Sequence, residues 1–176
     1  MESINVFVGI DIGGSHIGLS LFDDNNKILA TYEEPLNPAI SPETLVQRFD
    51  ELISELQRQI KTKTVICSAG IGTPGQCKDG VLIAASNFPA WGRNIPLAAM
   101  LSSKLKSIPV ALLNDADAAI AAEVWGTDNY SNIRHAAMIS TGSIFLSMSL
   151  THVIRRSSRD RHRAGAYFKW KIAFRR

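Results

Sequence analysis

Apolar residues recur with period two near the start of the chain and with a helical period farther on. Residues 4–10 (INVFVGI) read as a strand. From His16 to Asp23 the pattern alternates, with Ile17, Leu19 and Leu21 on one face. Asp23-Asp24-Asn25-Asn26 is hairpin-turn chemistry, and Lys27 to Glu33 returns as a third strand. Ser41-Pro42-Glu43 predicts a helix start: a hydroxyl N-cap, a proline in the first turn and an acid to meet the helix dipole. Leu45, Phe49, Leu52 and Leu56 then fall on one helical face, with Lys61 and Lys63 at its end.

Farther on, Thr64 to Gly70 predicts a buried strand, Gly72 to Gly80 (GTPGQCKDG) a continuous turn, and Val81 to Ala85 a short strand. Ile95 to Leu105 reads as a helix, and Pro109 to Leu113 as a strand ending at Asn114-Asp115. Ala116 to Trp125 is alanine-rich and helical, and Ala136 to Ser140 is another strand. The order β-β-β-α-β-β-α-β-α-β predicts an α/β fold with an antiparallel start followed by crossover helices. After about Gly142 no sustained period or cap is evident.

Composition changes this picture little, and charge changes it at one end. The 176 residues are 45% hydrophobic and 20% charged, as in a globular protein. The net charge of +3 conceals an asymmetry. Residues 151–176 hold nine Lys/Arg against Asp160 alone, leaving ten basic and fifteen acidic residues in 1–150. The tail is therefore +8 and the body −5, so the basicity says nothing of the body's ligand. Tyr167, Phe168, Trp170 and Phe174 lie among the basic residues, a pattern that can bind single-stranded nucleic acid; a disordered or aberrant extension explains the tail more simply. The uncharged run from Ala136 to Ile154 is diluted by serines, threonines, Gly142 and His152, which argues against a membrane span. Glu2 and the lack of an apolar run after it argue against a signal peptide. Cys67 and Cys77 form no Cys-x-x-Cys or Cys/His pattern, so they read as reduced thiols of a cytoplasmic protein and not as zinc ligands.

Chemistry enters at Gly9 to Asp23 (GIDIGGSHIGLSLFD). Glycines after a strand let backbone N–H groups approach phosphate oxygens. A dinucleotide loop needs a helix after the glycines, and a Walker loop needs a lysine; here a strand and His16 follow. The alternatives are a phosphate loop inside a β-hairpin and a tight hairpin with a left-handed glycine. Asp11 favours the former, because a strand-end carboxylate beside phosphates can hold Mg²⁺ through water.

Three more stretches extend the motif: Ala69 to Leu97 (AGIGTPGQCKDGVLIAASNFPAWGRNIPL), Leu112 to Gly126 (LLNDADAAIAAEVWG) and Ala136 to Ser143 (AAMISTGS). With GIDIGGS they resemble, over roughly residues 4–142, the ROK family of sugar kinases, which includes bacterial-type glucokinases and N-acetylhexosamine kinases. The resemblance implies an actin/hexokinase-like (ribonuclease H-like) lobe, a mixed sheet with an antiparallel hairpin start and crossover helices. It implies ATP with Mg²⁺ as co-substrate and metal, and a hexose or N-acetylhexosamine as acceptor. Asp11, Gly13, Gly14 and Ser15 match the first phosphate loop, with Ser15 at a usual threonine. Asp115 matches the catalytic base, and it can equally cap the helix that follows. Asn114, Asn87, Gly75 and Asp115 itself match sugar-contacting positions. Trp91 reads as packing the Asn87 loop, and Asp117 and Glu123 as solvated helix charges. Thr141-Gly142 matches the second phosphate loop, two residues short and without its later glycines.

The family's Glu-x-Gly-His sugar motif, its cysteine-rich zinc motif and the adenosine half of its second lobe have no counterpart here. The expected organisation is therefore an N-terminal kinase lobe over 1–142, a divergent and poorly ordered basic tail over 143–176, and no second lobe. Such a lobe is expected to be inactive alone, as a truncated or mis-spliced kinase. The alternatives are a one-lobe module that binds a sugar, a nucleotide or a protein, and nucleic-acid binding through the tail. The face that meets a second lobe would be exposed, inviting self-association or a partner. ROK repressors share the core but carry an N-terminal helix-turn-helix; the first strand here is expected within a few residues of Met1, which argues against a repressor.

Overall fold

The computed structural model describes residues 3–126, 135–141 and 146–152, with side chains over 3–122. Its centre is a five-stranded sheet. Strand β1 (Ser3–Ile12) pairs antiparallel with β2 (His16–Phe22), and β2 with β3 (Ile28–Pro35). On its other side β1 pairs parallel with β4 (Lys63–Thr73), and β4 with β7 (Val110–Asn114). The spatial order is β3-β2-β1-β4-β7.

Helix α1 (Pro42–Gln59) makes the first crossover. It begins as its sequence predicts: Ser41 Oγ accepts the Thr44 N–H at 3.2 Å and Pro42 occupies the first turn. Leu45, Phe49, Leu52 and Leu56 are all fully buried. They meet Val8, Ile10 and Ile12 of β1 and Ile17, Leu19 and Leu21 of β2 in the main core. Helix α2 (Leu97–Lys104) lies beside α1. It starts two residues later than expected because Ile95 exchanges both backbone hydrogen bonds with Leu82, at 2.8 and 2.9 Å. On the opposite sheet face, α3 (Asp115–Gly126) puts Ala118 against Phe22 and Leu113. No helix among the described residues is long and apolar enough to cross a membrane.

Two stretches differ from expectation. The segment from Gly72 to Gly80 is not one continuous turn. Strand β4 runs on to Thr73, because Gly72 pairs with Leu113 and Thr73 with Asn114. A short strand β5 (Gln76–Lys78) then pairs with β6 (Val81–Ala84) across Asp79-Gly80. Both turn residues have positive φ, 50° and 80°, the Asp-Gly geometry that suits a two-residue hairpin. Past Gly142, where no element was expected, β9 (Leu146–His152) pairs antiparallel with β8 (His135–Thr141). Leu146, Met148 and Leu150 alternate with Ser147, Ser149 and Thr151, a period-two pattern inside an otherwise patternless region. Residues 153–176, which carry the basic and aromatic tail, lie outside the described residues.

One charged cluster ties α1 to β3. Arg48 donates to Glu34 through Nε at 2.9 Å and Nη2 at 2.7 Å. The Arg48 guanidinium holds the Glu34 carboxyl below its ordinary range. The pair therefore stabilises the fold above glutamate's ordinary pKa of 4.5 and loses that contribution as pH falls through the lower folded value. Glu34→Gln is expected to cost about 1 kcal/mol at pH 7 and close to nothing at pH 2, measured by urea unfolding at both values.

Candidate functional site

The chemistry-bearing residues gather where the parallel strands end. Asp11, near the end of β1, stands in register with Gly18 of β2 and Gly72 of β4. One position farther along, Thr73 faces Asn114 across β4 and β7, and Asp115 opens α3. Ligands of open α/β sheets bind outside the carboxyl ends of such strands.

The Gly13-Gly14-Ser15 loop is a tight reversal closed by the Gly13 N–H donating to His16 O at 2.8 Å. Ser15 O accepts the Leu36 N–H at 2.8 Å, which anchors the far side. Gly14 and Ser15 are exposed. A left-handed backbone does not explain these glycines, since neither has φ between +20° and +160°. Close approach does. A Cβ on Gly13 would lie 2.7 Å from the His16 ring, and one on Gly14 would lie 3.3 Å from Asn87 Nδ2. The exposed Asn87 side chain thus sits against the phosphate-type loop, although it lies 73 positions after Gly14 in the chain.

Asn87 is held there by its neighbours. Phe88 is fully buried and stacks on Trp91 with ring centroids 4.3 Å apart. Trp91 Nε1 donates to Ile40 O at 2.7 Å, pinning the loop beside the start of α1. Trp91 therefore packs the loop, as its sequence context suggests. Asn114 holds the other flank. Its Nδ2 donates to Gly75 O at 2.8 Å, and its Oδ1 accepts the Ala116 N–H at 2.9 Å. The second bond makes Asn114 the N-cap of α3. Asp115 Oδ1 also accepts the Ala116 N–H, at 2.8 Å, so its carboxylate is held at the helix start while half-buried. Asp117 is half-buried too and not the freely solvated charge expected.

Cys77, on β5, reports how near this hairpin comes to the acids. Burial first, then the negative charges of Asp117 and Asp115, push its thiol up to about 11. Iodoacetamide at pH 8 is expected to alkylate Cys77 roughly a hundredfold more slowly than in the urea-unfolded chain, followed by peptide mass mapping. Sequence reading gave Cys77 no role, and only folding brings it to the carboxylates. Thr141 ends β8, where its backbone alone is described, and Gly142 lies outside the described residues. Gly75, Asn114 and Asp115 form one linked edge, while Asn87 lies against the glycine loop that follows Asp11.

This sheet order, with α1 and α2 on one face, α3 on the other and acids at the strand ends, is that of an actin/hexokinase-like lobe. The model of the ROK family matches residues 7–143, and the chain belongs to that family. It is 35% identical over 122 residues to the N-acetyl-D-glucosamine kinase of Escherichia coli, covering 68% of this chain and 38% of that protein. The chain thus spans well under half the length of these curated relatives. Two solved structures share the fold. The ROK glucokinase of Streptomyces griseus, in complex with glucose and AMPPNP, superposes with a TM-score of 0.62 at 24% identity, over 82% of this chain and 44% of that one. The inorganic polyphosphate/ATP-glucomannokinase of Arthrobacter sp. strain KM gives 0.68 at 24% identity, over 92% and 72%.

Proposed function

We propose that this chain forms one wall of the cleft of an ATP-dependent kinase for a hexose or N-acetylhexosamine. The observation that carries this is the seating of Asn87 against Gly14. It places a hydrogen-bonding amide beside a loop suited to phosphate, as transfer from nucleotide to sugar requires. In this reading Gly13, Gly14 and Ser15 contact phosphate, with Thr141-Gly142 approaching from the second loop. Gly75, Asn87 and Asn114 orient the sugar. Asn114 keeps one amide hydrogen beyond its bond to Gly75 for a sugar hydroxyl. Asp115 accepts the proton of the attacking hydroxyl. Asp11 suits Mg²⁺, being a hard oxygen donor, half-buried at a strand end; one carboxylate with water and phosphates is a common set for that ion. Bound there, Mg²⁺ would neutralise charge on the phosphates. A cytoplasmic setting goes with this reading, since ATP and the free thiols Cys67 and Cys77 belong there.

Catalysis of this kind needs the acceptor and nucleotide enclosed between two walls. Assayed as it stands, the 176-residue chain is expected to bind without appreciable turnover, far below the ~10 s⁻¹ of an ordinary enzyme. N-acetylglucosamine or glucose at saturating concentration should raise its stability by up to about 2.7 kcal/mol at a hundredfold excess over Kd. The gain should vanish in Asn87→Ala, read by thermal unfolding with and without sugar. A wild-type chain that neither sugar nor MgATP stabilises would sink the proposal. Phosphorylation of either sugar at an ordinary rate would overturn the expectation of inactivity alone.

A further inference from the structure

The sheet face under α3 carries a polar atom that the kinase reading does not use. Ser20 is fully buried, and its Oγ has no hydrogen-bond partner among the described residues. A buried hydroxyl left without a partner is costly, and native structures rarely tolerate it. The register shows what surrounds it. Ser20 faces Gly9 on β1 and the exposed Thr31 on β3, and Gly9 faces Gly70 on β4. In the next row, Gly18 faces Asp11, and Asp11 faces Gly72. Ser20 and Asp11 are therefore diagonal neighbours on one face of an antiparallel pair, and every residue directly beside either of them across β1, β2 and β4 is glycine. No side chain intervenes between the hydroxyl and the carboxylate on that floor.

We infer that a bound water links the Ser20 hydroxyl to the Asp11 carboxylate, which makes Ser20 a positioning residue for Asp11. Diagonal Cβ atoms on such a face lie within about 7 Å. That span suits one water making two bonds of ~2.8 Å, and a water needs at least two polar partners to stay buried. The Cβ-less floor supplies the room. Ser20 donates to the water, the water donates to Asp11, and the carboxylate is held at the mouth of the glycine loop. Its value for holding Mg²⁺ rests on the kinase reading; the bridge itself does not.

The test is a double-mutant cycle on the full chain, with Ser20→Ala, Asp11→Ala and the pair, read by urea unfolding without ligand. With the bridge, S20A lowers the folded-to-unfolded ratio about fivefold. It does so much less when Asp11 is already alanine, because the shared acceptor is gone. If S20A is neutral or stabilising, or its cost is the same in both backgrounds, the bridge does not exist. A second measurement compares ATP affinity with Mg²⁺ and with EDTA. Loss of the Mg²⁺-dependent part alone in S20A supports positioning of Asp11. Equal loss in both conditions overturns that role. Should the wild-type chain bind neither MgATP nor sugar, the kinase reading falls while the unfolding cycle still decides the bridge.

Discussion

Phe49→Ala is expected to cost about 3–5 kcal/mol, the largest stability effect of any single substitution proposed for this chain. Phe49 is fully buried at the middle of α1 and belongs to the main core with Val8, Ile10, Leu19 and Leu21. Truncating it removes the transfer energy of the ring and leaves a cavity between α1 and β1-β2 that rigid strands cannot collapse to fill. A domain of this kind has only ~5–15 kcal/mol in total, so the variant should unfold at a much lower urea concentration with an unchanged slope. Phe49→Leu keeps most of the volume and should lose less than about 1.5 kcal/mol. The comparison separates packing from helix propensity, since Ala and Leu both favour helix. An Ala variant within about 1 kcal/mol of wild type would show that α1 does not carry the core. The consequence reaches the site, because Trp91 hangs the Asn87 loop on Ile40, just before α1 begins.

Legibility followed the strength of local physics. Helix α1 was plain because three independent signals agree: the Ser41 cap, Pro42 in the first turn, and a stripe of four apolar residues at helical spacing. The β1-β2 hairpin was plain by alternation. Strand β5 was not, because three residues between turn residues show no period; its one signal was Asp79-Gly80, which marks a hairpin tip and not a loop. Strand β9 alternates only over its own seven residues, next to text with no pattern.

At the site, residue types pointed to the chemistry but not to who holds whom. A left-handed turn was one sequence-level explanation for Gly13 and Gly14, and contacts with His16 and Asn87 replaced it. Asn114 was read as a sugar amide alone. In the fold it also caps α3 and grips the Gly75 carbonyl, so one residue positions Asp115 and the turn across from it. Such long-range pairings leave no local trace, since the bonded partner lies 39 residues away.

Gly75 is where those pairings concentrate, and Gly75→Ala should destabilise the chain by about 2–4 kcal/mol. Its φ is +113°, a conformation L side chains rarely adopt. A Cβ there would also collide with the Ala84 carbonyl oxygen and lie 2.9 Å from Ala85 Cβ. Neither neighbour can yield cheaply: one is backbone at the end of β6, and the other leads into the Asn87 loop through the Phe88 N–H to Ala85 O bond at 3.2 Å. Relief must come from moving the Gly75 carbonyl, which breaks the bond from Asn114. Gly92→Ala is the matched control. Its φ is +72° and its ψ −136°, close to a region essentially restricted to glycine, with nothing within 4 Å of the added carbon, so it carries backbone strain alone, about 1–3 kcal/mol. The excess in G75A over G92A therefore measures the collision and the lost Asn114 bond. If sugar contacts run through Gly75, Asn87 and Asn114 together, G75A should also lose sugar-dependent stabilisation while G92A keeps it. Equal costs in the two variants would mean that the Gly75 turn shifts freely, and a turn that shifts freely cannot hold Asn114 in place beside Asp115.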